Sequence, residues 1–223
     1  METAQDLPEL LYIYDPLCGW CYGMTPVVQR VRDEFSGRVN VSVLSGGMVT
    51  GDQVGPIRNK WEYIKTALAD VEQVTGAHFG DAFRALGEEG SYVQDSEPPC
   101  RALSVFRQLD ARQNQAIDFA HDIQHAYFGE GKSLNDLATY DALVKAYNME
   151  AREFRRQFAA PVAATATQQE FAAVARIGVT GYPTIILRVE NQGYLLARGF
   201  QRYDELASRL EQALEQAREE AST

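Results

Sequence analysis

Apolar positions change their period several times along this chain, and each change predicts an element. Leu10 to Asp15 (LLYIYD) is a continuous apolar run rich in β-formers, which predicts a buried strand closed by Asp15-Pro16. After it, Met24, Val27, Val28, Val31 and Phe35 recur at helical spacing. They form the apolar face of an amphipathic helix that starts at or just after Cys18 and stops at Ser36-Gly37. Val39 to Leu44 (VNVSVL) alternates with period two and predicts a second strand. Strand, helix, strand in this order is the opening of a βαβ unit.

From about Thr50 to about Thr167 the strand signals vanish, with Gly51, Gly55 and Pro56 at the boundary. Ser96 and Glu97 before Pro98-Pro99 make a helix-start signal, followed by Leu103, Phe106 and Leu109. Ala116, Ala120, Ile123 and Tyr127 mark another helix. Ser133, with Asp136 three residues on, resembles a capping box ahead of Leu137, Tyr140, Val144 and Tyr147. Glu150 to Phe158 and Thr167 to Ile177 read as helices, and Ala159 to Thr167 (AAPVAATAT) as a connection or a helix start. The whole stretch reads as an all-helical block.

Strand signals return at Thr184 to Val189 (TIILRV); Asn191-Gln192-Gly193 is turn chemistry, and Tyr194 to Ala197 is the return arm of a hairpin. Leu206, Leu210, Ala213, Leu214 and Ala217 give a terminal amphipathic helix. The order fits an α/β architecture: a mixed four-stranded sheet with helices on both faces and the helical block inserted. The expected division is a discontinuous domain of residues 1–50 and 166–223 and an inserted helical subdomain of residues 51–165.

Composition narrows the function. The 223 residues carry 21 Lys+Arg against 31 Asp+Glu, a net charge of −10 that argues against nucleic acid or an anionic membrane as the main partner. No apolar run approaches the roughly 20 residues of a membrane-spanning helix. The amino terminus METAQDLPELL lacks a basic flank, an apolar core and a small-residue cleavage site, so a cytoplasmic location is expected.

Three cysteines cannot close a disulfide framework, and two of them stand as Cys18-Gly19-Trp20-Cys21. That count reads as chemistry rather than stapling. Thiol–disulfide exchange needs a thiolate, a second thiol within bonding reach, and access for another sulfur. A first cysteine at a helix start lies at the positive end of the helix dipole, beside unpaired N–H groups that stabilise S⁻. Cys18 is then the nucleophile, and Cys21, one turn in and more buried, the resolving thiol. Two other readings stand beside this one. The pair is structural, or it is half of a zinc site that His121 and His125, four apart on one helical face, would complete.

CGWC after the strand, together with VTGYPT before the hairpin, resembles the thioredoxin-like superfamily, and the long helical block between them resembles the DsbA family. The run DPLCGWCYG is similar to the cytosolic protein-disulfide isomerase branch of DsbA-like proteins, near the FrnE and hydroxychromene-carboxylate isomerase groups. The resemblance covers essentially the whole chain. It implies a thioredoxin-like fold and a thiol–disulfide oxidoreductase that works through Cys18 and Cys21 with no metal or organic cofactor. Its substrates would be protein disulfides or thiols, with glutathione or a thioredoxin-type reductant as partner. Pro183 matches the family's cis-proline facing the active disulfide, which leaves the backbone of Tyr182 free to pair with an extended substrate. Gly19 and Trp20, between the cysteines, tune the redox poise. They bring no charge, so the resemblance implies a less oxidising couple than in relatives with a histidine there. Trp20 and Tyr22 line a substrate groove or belong to the core, and Trp61 and Tyr63 read as core. Asp15 reads first as a turn residue before Pro16 and second as a proton acceptor for the resolving thiol. Cys100 reads as a small buried residue, or as a third redox thiol at a helix start. The alternative functions are a glutathione-dependent isomerase or transferase of the hydroxychromene-carboxylate isomerase or kappa type, and a non-catalytic holdase.

Overall fold

The computed structural model describes residues 7–110 and 114–221; the first six residues of the amino-terminal segment lie outside them. The apolar run forms β1 (Glu9–Tyr14), followed by α1 (Gly19–Glu34) and β2 (Asn40–Ser45). A 3-10 turn leads to β3 (Gly55–Pro56) and a second leads to α2 (Trp61–Thr75), followed by α3 (Asp81–Glu89) and β4 (Val93–Gln94). Five helices follow: α4 (Glu97–Leu109), α5 (Ala116–Phe128), α6 (Leu137–Ala146), α7 (Ala151–Ala159) and α8 (Pro161–Arg176). The chain closes with β5 (Thr184–Val189), β6 (Gln192–Arg198) and α9 (Tyr203–Ala221).

The main sheet is mixed, in the order β2-β1-β5-β6, with β1 parallel to β2 and antiparallel to β5. On one side α9 packs on β5, β6 and α1, covering Leu10, Tyr12, Ile185 and Leu187, which are all fully buried. At the other end of the strand order α5 and α8 pack on β2. The opposite face of β1, β5 and β6 stays more open: Leu11 and Ile186 are partly buried and Leu195 is exposed.

Both edge strands carry an arginine. On β2, Arg107 of α4 donates to the Val43 carbonyl at 2.7 Å and pairs with Glu170 of α8, whose other oxygen accepts from the Ser45 N–H at 2.7 Å. On β6, Arg209 of α9 donates to the Leu196 carbonyl at 2.9 Å.

Several local expectations are corrected. The helical block contains a small strand pair, β3 with β4, because Gly55 and Pro56 run antiparallel to Val93 and Gln94. Asp136, not Ser133, caps α6, its side chain accepting from Ala138 N at 2.9 Å. The turn of the hairpin is Glu190-Asn191, with Glu190 at positive φ, and Gln192 and Gly193 already belong to β6. Ala159 to Thr167 resolves as a helix start, since Pro161 occupies the first turn of α8, where its missing N–H costs nothing. The boundary expected at residue 165 therefore falls inside α8.

Helix α2 lies close against α1. A Cβ on Gly23 would come within 2.5 Å of Thr75 Oγ1, so only glycine permits this approach. Beyond α2, Phe79, Phe83, Tyr127 and Phe128 build an aromatic cluster, with the Phe83 ring 4.9 Å from Tyr127 and 5.1 Å from Phe128.

Candidate active site

The end of β1 and the first turn of α1 bring the two cysteines together. Cys18 is the N-cap of α1, with extended dihedrals, and its sulfur accepts a hydrogen bond from Cys21 N–H at 3.3 Å. This is the geometry of a capping side chain, with sulfur in place of oxygen. Cys18 N–H is tied back to Asp15 C=O at 3.1 Å, which sets the turn that presents the sulfur. Both thiols are free; Cys18 keeps 6% of its surface, whereas Cys21 has none. Burial, and then its hydrogen bond with Cys18, push the Cys21 thiol well above the ordinary thiol range. Cys21 therefore holds its proton, while Cys18 is the more accessible of the two.

Pro183 lies at the start of β5, and the Tyr182–Pro183 peptide bond is cis. The Tyr182 carbonyl accepts from the Cys18 thiol at 3.7 Å, so the far end of the sequence meets the cysteine turn. The Tyr182 ring does not point into solvent. It lies on Gly46, where a Cβ would come within 1.9 Å of it, and its hydroxyl donates to Gly46 C=O at 2.8 Å. Gly19 sits beside Phe79, and Trp20 is half-buried at the rim of the site.

Asp15 is fully buried beneath the turn. One of its oxygens accepts from Leu17 N–H at 2.9 Å and from Ser96 Oγ at 3.0 Å; the other accepts from Met48 N–H at 2.7 Å. The bond to Leu17 is the turn contact expected before Pro16. Those to Ser96 and Met48 also join α4 and the loop after β2 to the turn. Loss of water outweighs these donors and pushes the carboxyl up to about 6. Behind Cys21 runs a second polar chain: Tyr12 Oη donates to Cys21 C=O at 2.9 Å, Thr25 Oγ1 donates to Gln124 Oε1 at 2.8 Å, and Gln124 Nε2 reaches Asp15 C=O at 3.5 Å.

The remaining sequence candidates separate. Cys100 is fully buried, and burial pushes its thiol well up, so it sits as a small core residue. Trp61 is core, but Tyr63, two positions on, is 77% exposed, against the expectation that both are core. Tyr22 is buried: its ring stacks on Phe128, and its hydroxyl hydrogen-bonds His125 Nδ1 at 3.0 Å. His121 stacks on Tyr22, and burial lowers its basicity. The two histidines thus belong to an aromatic contact, and among the described residues no three His, Cys, Asp or Glu side chains gather into a metal-binding group.

A cavity of about 230 Å³ adjoins Cys18, lined by Leu17, Gly19 and Trp20 on one side and by the insertion on the other. Larger clefts of about 500 and 710 Å³ touch neither Cys18 nor Cys21. Sequence reasoning missed Gly46, Met48 and Gln124. The Gly46-Gly47 pair directly after β2 was the one available signal.

The family model of the DSBA-like thioredoxin domain matches residues 10–211. Among solved structures, a Nitrosomonas europaea protein, provisionally described as a protein disulfide isomerase, is 26% identical with a TM-score of 0.82, covering 95% of this chain and 99% of that one. The cytosolic disulfide reductase DsbM of Pseudomonas aeruginosa is 26% identical with a TM-score of 0.77, covering 93% and 98%, and has also been solved with GSH. A 2-hydroxychromene-2-carboxylate isomerase, 14% identical with a TM-score of 0.63, shares the fold over 96% of this chain and 98% of its own. Replicase polyprotein 1a of avian infectious bronchitis virus (strain Beaudette) is 26% identical over 118 residues; the match covers 50% of this chain and only 3% of that polyprotein.

Proposed function

This chain belongs to the DSBA-like thioredoxin domain family, and from that premise we propose that it is a thiol–disulfide oxidoreductase acting through Cys18 and Cys21. One observation carries the reading. The Cys18 sulfur caps a helix and accepts the Cys21 N–H at 3.3 Å, while the Cys21 thiol, one turn in, is buried and holds its proton. The helix start places a backbone donor on the Cys18 sulfur, and Cys21 gives up its proton in the resolving step.

In the reduced protein the Cys18 thiolate attacks a substrate disulfide. One substrate sulfur leaves as a thiolate and takes up a proton, and the other stays bonded to Cys18. Cys21, deprotonated, attacks the Cys18 sulfur and expels the second substrate thiolate. The substrate gains two electrons and the protein ends with a Cys18–Cys21 disulfide. Tyr182, ahead of Pro183, offers its main chain to an extended substrate beside the reacting sulfur. Gly19 and Trp20 form the floor under that substrate.

The reducing direction is supported by the likeness to a cytosolic disulfide reductase and by the uncharged Gly19-Trp20 pair. A glutathione or thioredoxin-type reductant then restores the dithiol; the GSH-bound form of the Pseudomonas relative supports the former. The same likeness supports a cytoplasmic location, and among the described residues no helix is long and apolar enough to cross a membrane. We read residues 1–50 and 166–223 as the thioredoxin-like domain and 51–165 as the inserted subdomain, with α8 bridging the second junction. The presence of both cysteines favours exchange over a glutathione-dependent isomerase.

Insulin reduction with a regenerating thiol system tests the reading. Cys18→Ser is expected to lose at least about a thousandfold in rate. Cys21→Ser is expected to accumulate a mixed disulfide at Cys18, visible by mass spectrometry. Full activity in Cys18→Ser would refute the assignment.

A further inference from the structure

The sheet face turned away from α9 carries a pattern that thiol–disulfide exchange does not use. Leu11, Ile186 and Leu195 stand in register across three neighbouring strands of it. Leu195 is 52% exposed, and Ile177, in the loop after α8, is 53% exposed beside the same row. Together they line an open groove of about 500 Å³. A β-bulge opposite Ile185 and Ile186 sends Leu196 and Ala197 to the covered face and keeps Leu195 and Arg198 outward. One row nearer the hairpin turn, Gly193 pairs with Arg188. The Arg188 side chain leans away to Glu9 on β1, which leaves a dent over Gly193. A Cβ at Gly193 would meet only Ile186 Cγ2, at 3.5 Å, so packing within the chain does not call for glycine here. The face thus presents a knob, Leu195, beside a hole, Gly193.

The charges repeat this arrangement. Glu190 lies at the hairpin turn and Arg198 at the other end of the hairpin, level with Thr184. Both line the groove, and neither side chain makes a hydrogen bond or ion pair with another described residue. The two levels are roughly 20 Å apart along the strand. A half-turn about an axis that crosses the strands midway, at Leu187, exchanges them. Glu190 of each copy then meets the partner's Arg198, and Leu195 of each lies over the partner's Gly193.

We infer that this face is a contact between two copies of this chain, packed sheet to sheet with their strands antiparallel. The interface is isologous, with two identical ion pairs at its ends and two Leu195–Gly193 contacts between them. Three strands give a face of roughly 20 by 15 Å, which places the pairing in the small, weak class of interfaces. Its dissociation constant is expected on the order of tens of micromolar.

Sedimentation equilibrium of the full-length protein, with reductant present so that no disulfide joins two chains, tests this. From about 5 to 500 μM the mean mass is expected to rise from that of one chain towards that of two. Gly193→Val suits a strand but fills the hole, and is expected to weaken pairing about tenfold without loss of thermal stability. Arg198→Glu and Glu190→Arg each set like charges face to face, and each is expected to weaken it at least about tenfold. Mixing these two variants puts every arginine opposite a glutamate again, and is expected to restore pairing to within about threefold of the original. Circular dichroism confirms that each variant is folded, and Leu195→Ser replaces any that is not, with the same loss expected. A single-chain mass at every concentration overturns the inference. So does a dimer indifferent to all of these substitutions, which uses another face, and so does a mixture that stays as weak as its components.

Discussion

The two sides of Cys18 are built from different materials. On the sheet side, the Tyr182 carbonyl accepts from the Cys18 thiol, the Tyr182 hydroxyl donates to the Gly46 carbonyl, and the buried Asp15 carboxyl accepts from the Met48 N–H. On the insertion side there is an apolar cleft over packed rings. The sheet side holds atoms in place through directional contacts whose strength depends on protonation. The insertion side gives shape and area, which respond to side-chain volume and are indifferent to pH. The Cys18 sulfur lies between a wall of hydrogen-bonded polar groups and a wall of packed apolar side chains.

This contrast can be broken at either wall. The largest effect is expected for Phe83→Ala, which removes a fully buried ring from the insertion side; it should cost about 4 kcal/mol of unfolding free energy, equally at pH 5 and pH 8, by denaturant titration. A strongly pH-dependent loss would mean that the apolar wall is coupled to a titrating group.

Asp15→Asn addresses the sheet side. Its carboxyl rises from 3.8 to about 6 on folding, so the folded state binds the proton more tightly than the unfolded chain. The stability this gives is present at low pH and is lost as pH climbs from about 4 through about 6, a swing of about 3 kcal/mol. The variant should show a correspondingly flatter stability profile across that window. An unchanged profile would show that another group carries the dependence.

The smallest effect is expected for Tyr182→Phe. It keeps the ring on Gly46 and deletes one hydrogen bond, at a cost of about 1 kcal/mol. The loss should appear in denaturant titration and leave the insulin-reduction rate within about threefold, because the Tyr182 carbonyl, not its hydroxyl, meets Cys18. A larger loss of rate would mean that the hydroxyl bond to Gly46 also positions that carbonyl.

How much of this was legible in the sequence follows the distance between partners. Cys18, Cys21 and Asp15 form contacts within a turn, so their arrangement could be read from the CxxC spacing, the helical period and Asp-Pro. The four strands of the main sheet and α4, α5 and α9 were legible because their apolar periods are unbroken, whereas β3 and β4, two residues each, are too short to show a period. The Tyr182 ring on Gly46 and the Asp15 bond to Met48 were not, because nothing local encodes which loop a side chain will meet. Trp61 and Tyr63 teach the same lesson in miniature. Taken as a pair they read as core, but residues two apart on a helix face different ways, and one is buried while the other lines the cleft mouth. The cleft itself joins α1, α2 and the loop after β2, three segments whose patterns say only that each has an inward face.

The arginines on the outer strands have a consequence for life among half-folded chains. A sheet that ends in bare peptide groups invites any sticky extended segment to lengthen it, and such recruitment is the first step of many aggregates. Here guanidinium groups sit on Val43 and Leu196, one at each margin, and Glu170 takes the neighbouring amide at Ser45. A visiting polypeptide finds those berths taken, which on the proposed exchange reading leaves the main chain at Tyr182 as its landing place.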